Sequence, residues 1–250
     1  MRGPLETLDF VIPRDLWVTG FSIQIHDEKG LSQPPQAYLC HASVATGDNK
    51  NIVVMVTGQD EVILPPGFGL KLERGQAMSF RFMPISTDPA ANKNLYADLV
   101  LHAADLKQGE RLKRLWFVGD KVEANDCGMP VPKDLLHAQH HWLWLIPPHQ
   151  KKIIVNQFSF PASGRLHYIS GHLHRYGVWM RLADPGGKTL WRGETTLFKD
   201  GLVHKMPVYS DAKGIRVEKG KQYIFESEYD NPLEESLESM SQLYMYLLPD

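Results

Sequence analysis

The chain has 250 residues, 43% of them hydrophobic and 22% charged, with a formal net charge of -2. That length supports one large β domain or two small ones, each with a real core. With no broad basic field, nucleic acid and anionic membrane surfaces are not expected partners, and no apolar run approaches the length of a bilayer span.

The opening MRGPLETLDF lacks the apolar core of a signal peptide, so the expectation is a cytoplasmic protein, or a periplasmic or extracellular one if a leader has been removed. Cys40 and Cys127 are the two cysteines. A single pair is no disulfide framework and leaves a bridge, two thiols or a metal ligand open.

Short runs rich in Val, Ile, Phe, Tyr and Trp predict strands along the whole chain. The first half holds WVTGFSIQIH, AYLCHASVA, NIVVMVTG, GQAMSFRFMPI and YADLVLHAAD, punctuated by turn chemistry such as GDNKN and PPGFG. A stretch at 131–150, VPKDLLHAQHHWLWLIPPHQ, is proline-flanked, polar and then aromatic, and reads as a seam. Its His137, His140 and His141 could share a helical face suited to zinc, but linker polarity is the better reading. Beyond it come KKIIVNQFSF, HYISGHLHRYG, GVWMRLAD, KGIRVEKG, KQYIFESEY and SQLYMYLLP, with DPGGK as a further turn. Only DPAANKNLY and NPLEESLES suggest a turn or two of helix. The pattern predicts an all-β fold of two tandem antiparallel β-sandwich (jelly-roll) domains, residues 1–140 and 141–250.

Chemistry concentrates in HYISGHLHRYG. Residues i and i+2 of a strand share a face about 6.5–7 Å apart, so His172 and His174 can converge on one metal. Gly171 before them permits a close approach by another backbone or a ligand. The same spacing equally describes two polar rings on the wet face of a sheet. A cupin site would need a Glu shortly after the second His, and RYGVWMR offers no carboxylate before Asp184.

The chain's end, ESLESMSQLYMYLLPD, adds Met240 and, four residues on, Tyr244. A lone Met is usually core filler. The H-x-H at 172–174, a gap of about 65 residues and then ESMSQLYMYL resemble the catalytic domain of the ascorbate-dependent copper type II monooxygenases. That family carries an H-x-H pair and a later Met in a D-E-M-C-x-L-Y-x-x-Y-like pattern, matched by Glu238 (two before the Met rather than one), Met240, Leu243 and Tyr244. The resemblance implies that His172, His174 and Met240 hold an oxygen-binding copper lined by Tyr244. Two imidazoles and a thioether are a soft donor set that favours Cu(I).

The same family holds a second, electron-transfer copper on three histidines. NLYADLVLHAADLKQ resembles one element of that site, with His102 at the ligand position. AYLCHASVATG resembles the other, with His41 matching the second of two adjacent histidines and Cys40 replacing the first. Adjacent strand residues face opposite ways, so Cys40 and His41 reach one ion only through a twist or bulge. His26 could supply a missing ligand, or the site could bind nothing.

Ser170 stands where the peptide-hydroxylating members hold a substrate carboxylate with Arg, and Gln242 stands where they have Asn, so a C-terminal glycine peptide is not the expected substrate. The resemblance implies one or two copper ions, O2, ascorbate or a similar reductant, and C–H hydroxylation of a small organic substrate. The alternatives are a non-catalytic copper-binding protein on the same fold and a jelly roll binding glycan or protein through its loops.

Overall fold

The computed structural model describes residues 5–84, 95–107, 110–121 and 144–250. The helical turn expected around 88–94, most of the seam, Cys127 and the His137, His140 and His141 cluster lie outside the described residues. The described chain is nearly all β, with one helical turn at Pro35–Tyr38.

In the first half, the strands Glu6–Val11, Ala77–Pro84, Leu39–Thr46 and Asn51–Val56 form one antiparallel sheet in that spatial order. A second sheet is built around the long strand Leu16–His26, which pairs with Phe68–Leu72, Glu61–Ile63, Tyr96–Ala103 and Ser32–Gln33. The period of two along Leu16–His26 turns Phe21, Ile23 and Ile25 inward, where they join Leu39, Ala42 and Val44 of the facing sheet in one buried cluster. Burying each such side chain contributes about 1.5–3 kcal/mol.

The second half repeats this layering. One sheet has the order Trp116–Lys121, Ser241–Pro249, Gly164–Leu173, Tyr209–Val217, and the other Lys151–Ser159, Gln222–Asp230, Gly177–Ala183, Thr189–Glu194. Between them lie Leu173, Met180, Leu182, Phe225, Leu243 and Met245. Strand Trp116–Lys121 precedes residue 140 yet pairs with Ser241–Pro249, so the chain enters the second-half sheet well before the expected boundary.

The two halves meet face to face. Tyr168 and Tyr246, from adjacent strands of the second half, pack into the apolar cluster of the first. The Gln59 amide donates to the Tyr168 hydroxyl at 2.6 Å, Ser170 donates to Gln59 Oε1 at 2.5 Å, and the Tyr246 hydroxyl donates to the Ile52 carbonyl at 2.8 Å. Gln59, Tyr168, Ser170 and Tyr246 thus find partners across the junction, as burial requires.

The stretch NPLEESLES is not helical. Asn231, fully buried, donates to the carbonyls of Ile146, Pro147 and Glu235 and accepts from the Leu233 amide. Those bonds hold a bend, and Leu237–Ser239 then runs as a strand against Trp144–Ile146. An Asn side chain competing for backbone groups favours such turns over helix.

Candidate metal centre

Along Gly164–Leu173, Leu173 turns into the second-half core while Ser170 and His172 face the first half. The partner strand follows suit, with Ser170 opposite Tyr244 and His172 opposite Gln242. Gly171 makes this pairing possible: a Cβ there would stand 2.4 Å from the Gln242 carbonyl oxygen and 2.6 Å from Met180 Cε. His172 is buried, and its ring centre lies 5.0 Å from that of His174 at 77° between planes.

Tyr229 fixes the end of this strand. Its buried hydroxyl accepts from the His174 amide at 3.0 Å and donates to the Met240 carbonyl. One phenol therefore ties the backbone of the H-x-H to that of the methionine. Burial pushes the Tyr229 hydroxyl well above its ordinary range, so it stays protonated and keeps its donor. Met240 is buried, yet among the described residues it belongs to neither apolar cluster. Glu238 Oε1 lies 3.9 Å from His174 Nδ1, near the ring but beyond hydrogen-bond reach.

The first half contributes the other wall. The pairing of Leu39–Thr46 with Ala77–Pro84 shifts register between Leu39 and His41. The inward residues there, Leu39, Ala42 and Val44, accordingly step by three and then by two. This bulge brings Cys40 Sγ to 3.0 Å from His41 Nδ1. Thr57 supports it, donating its hydroxyl to the Leu39 carbonyl and its amide to the Cys40 carbonyl. The His41 ring then meets His172 at 4.4 Å between centres and 61° between planes.

His102 goes elsewhere. It pairs with Gly20 on Leu16–His26, and its Nε2 lies 3.0 Å from the Ser22 hydroxyl. Gly20 and Ser22 alternate with the inward Phe21 and Ile23, so His102 stands on the outer face of one sheet and His41 on the outer face of the other. Sheets of a sandwich lie about 10 Å apart. The expected trio of Cys40, His41 and His102 is therefore not brought together; Cys40 and His41 join His172 and His174 instead. His26 also stands apart, with Nε2 3.1 Å from Asp98.

Beside the rings opens a cavity of about 230 Å³, lined by Cys40, Thr57, His172, His174, Leu237 and Glu238 among others. Tyr244, expected to line the copper site, lies with His41 and Gln242 along a separate cleft of about 510 Å³ between the halves. Its hydroxyl donates to Gln242 Oε1, and burial, with Cys40 nearby, holds it far above the ordinary tyrosine range.

Among the described residues no group of three or more His, Cys, Asp and Glu side chains forms a preformed metal cage. The donor chemistry nonetheless suits a soft transition ion. Imidazoles sharing a tetrahedral metal at about 2.0 Å per nitrogen have ring centres roughly 5 Å apart. The spacings of 4.4 and 5.0 Å around His172 lie near that value.

Tyr229 and Thr57 are the supporting residues that motif reading missed. Alternation in KQYIFESEY does turn Tyr229 inward with Tyr223 and Phe225, but nothing local says which backbone its hydroxyl meets.

No family model matches the chain, and no curated protein matches it significantly. Solved structures of the N-glycanase PNGase F align at a TM-score of 0.41 and 10% identity, covering 98% of this chain and 90% of that one. A second PNGase F structure, described as a glycosylasparaginase from Flavobacterium meningosepticum, aligns at 0.41 and 9% with the same coverage. The infectious bursal disease virus VP2 subviral particle gives 0.24 and 11%, covering 99% of this chain and 81% of that one. Similarity of this degree is not evidence of a shared activity.

Proposed function

We propose that this protein binds one copper ion at the junction of its two halves, on a fold of two tandem jelly-roll sandwiches, and serves as a copper-binding protein. The observation that carries the reading is the meeting of His41 with His172, which adds a third imidazole to the H-x-H. His41, His172 and His174 would hold the ion, with Met240 tied alongside through Tyr229. Imidazole and thioether donors suit copper, and Cu(I) in particular, over calcium or magnesium. Bound copper would supply one-electron chemistry; the chain's own part is to fix the backbone of the H-x-H through Tyr229 and to shield the rings from bulk water.

A second reading, a copper monooxygenase hydroxylating a small organic substrate with O2 and ascorbate or a similar reductant, is favoured by the cavity beside the rings. Its wall includes Leu173, Leu202, Val203 and Leu237, which suits an apolar substrate. The position of His102 removes support for a separate electron-transfer copper on Cys40, His41 and His102.

Metal analysis of protein purified under copper tests both. One equivalent per chain, lost in His172→Ala and kept in His102→Ala, is the expected result, with no ascorbate-dependent oxygen uptake. Two equivalents with oxygen uptake would favour the monooxygenase, and none would overturn both readings.

A further inference from the structure

We infer that Cys40 is a ligand of that same copper ion, bound as the thiolate, so that the donors come from both halves and the metal fastens them together. The inference rests on the copper reading above.

The geometry begins with the bulge. In a regular strand Cys40 and His41 would point to opposite faces. The register shift between Leu39 and His41 cancels that alternation and sets Sγ 3.0 Å from the ring of His41. A bulge gives up ladder pairing locally, and here the displaced carbonyls of Leu39 and Cys40 are both satisfied by Thr57. The deviation is thus built in and held.

Position is the second argument. Cys40 is 4% exposed and lines the same cavity as His172 and His174. His41, its neighbour, makes the ring contact with His172. The sulfur therefore shares the cavity with two of the imidazoles and touches the third, His41, which reaches the group through its contact with His172. Coordination is balanced by loss of one proton: copper displaces the thiol hydrogen to solvent and a copper–sulfur bond forms.

The chemistry then differs from an all-imidazole site. A thiolate joined to imidazoles is the donor set of strongly absorbing copper centres. Two donors belong to strand Leu39–Thr46 and two lie at or just beyond the end of Gly164–Leu173, so an ion held by all four bridges the junction. An ion that binds only the docked arrangement stabilises it by mass action.

The experiment adds Cu(II) to the full-length chain and follows bound copper, visible absorption and the thermal midpoint. Expected are one equivalent, an intense sulfur-to-copper charge-transfer band, and a rise in the midpoint. Cys40→Ser should keep the copper but lose the band, and its copper-induced rise in midpoint should shrink. Should Cys40→Ser fold poorly, sulfur-edge X-ray absorption of the copper-loaded wild type reads thiolate ligation directly. Bound copper with no thiolate signature, or a midpoint shift unaltered by Cys40→Ser, overturns the inference and leaves the one-copper reading standing. Failure of the wild type to bind copper, or exclusive binding of zinc, removes both.

Discussion

The imidazoles of His41 and His172 meet edge to face, 4.4 Å between centres, although they belong to opposite halves of the chain. Neither half alone presents more than part of this donor set. His41→Ala leaves the H-x-H untouched, yet it should weaken copper binding by at least about 10–100-fold, the range that even outer-sphere partners of a metal command. Competition titration against a Cu(I) chelator measures it, and an affinity equal to wild type would show that His41 takes no part.

Tyr229 should matter beyond its bulk. Tyr229→Phe keeps the ring but removes the hydroxyl between the His174 amide and the Met240 carbonyl. Leaving such groups buried and unsatisfied costs about 1–3 kcal/mol. Chemical denaturation should report that loss, together with a copper affinity reduced about 10–100-fold. A variant as stable and as tight as wild type would show the tie to be incidental.

Gly171→Ala should be poorly tolerated although its backbone is ordinary extended strand. The new methyl would meet the carbonyl of Gln242, a backbone atom that moves only if strand Ser241–Pro249 shifts. Overpacking of this kind costs about 1–3 kcal/mol. The shift would also displace Gln242 from His172, so copper affinity should fall with stability. Unchanged thermal unfolding would mean that the two strands separate more easily than their close packing implies.

His167 should make the fold acid-sensitive. Its Nδ1 donates to the Asp211 carbonyl at 3.0 Å and its ring packs on Phe68 at 4.0 Å between centres. Burial lowers its pKa below 6.5; Lys113 and Arg165 act in the same direction, and the bond to Asp211 and that residue's charge oppose them. The unfolded chain therefore takes up this proton first. Stability is unaffected above about pH 6.5 and falls as pH drops below it toward the lowered folded value. His167→Gln should flatten the dependence of the thermal midpoint between about pH 7 and 5, and an equally steep profile would assign the acid sensitivity to other groups.

Much of this molecule is local in origin. Runs rich in β-branched and aromatic residues between turn signals mark Leu16–His26, Asn51–Val56, Gln222–Asp230 and Ser241–Pro249 close to their observed limits, because such side chains fit a pleated, packed sheet surface. Glu6–Val11, Phe68–Leu72 and Thr189–Glu194 were not legible. The first is almost wholly exposed, and its Glu6 and Asp9 dilute the β-branched and aromatic richness that marks the other strands. NPLEESLES has the composition of a helix, but Asn231, bonded to Ile146 and Pro147 across the fold, dictates a bend.

The amino-acid order alone determined that His172 and His174 share a face, which follows from the period of a single strand, and that Gly171 admits a neighbouring backbone, which follows from its lack of a Cβ. It allowed Cys40 and His41 to act together only through a bulge, and it could not locate one, because bulges arise from how two strands pair. Tertiary structure alone decided that His41 meets His172 and that His102 does not meet His41. The reason is geometric: a sandwich sends the outer faces of its two sheets in opposite directions, and only the sheet that docks on the other half can lend it a ligand.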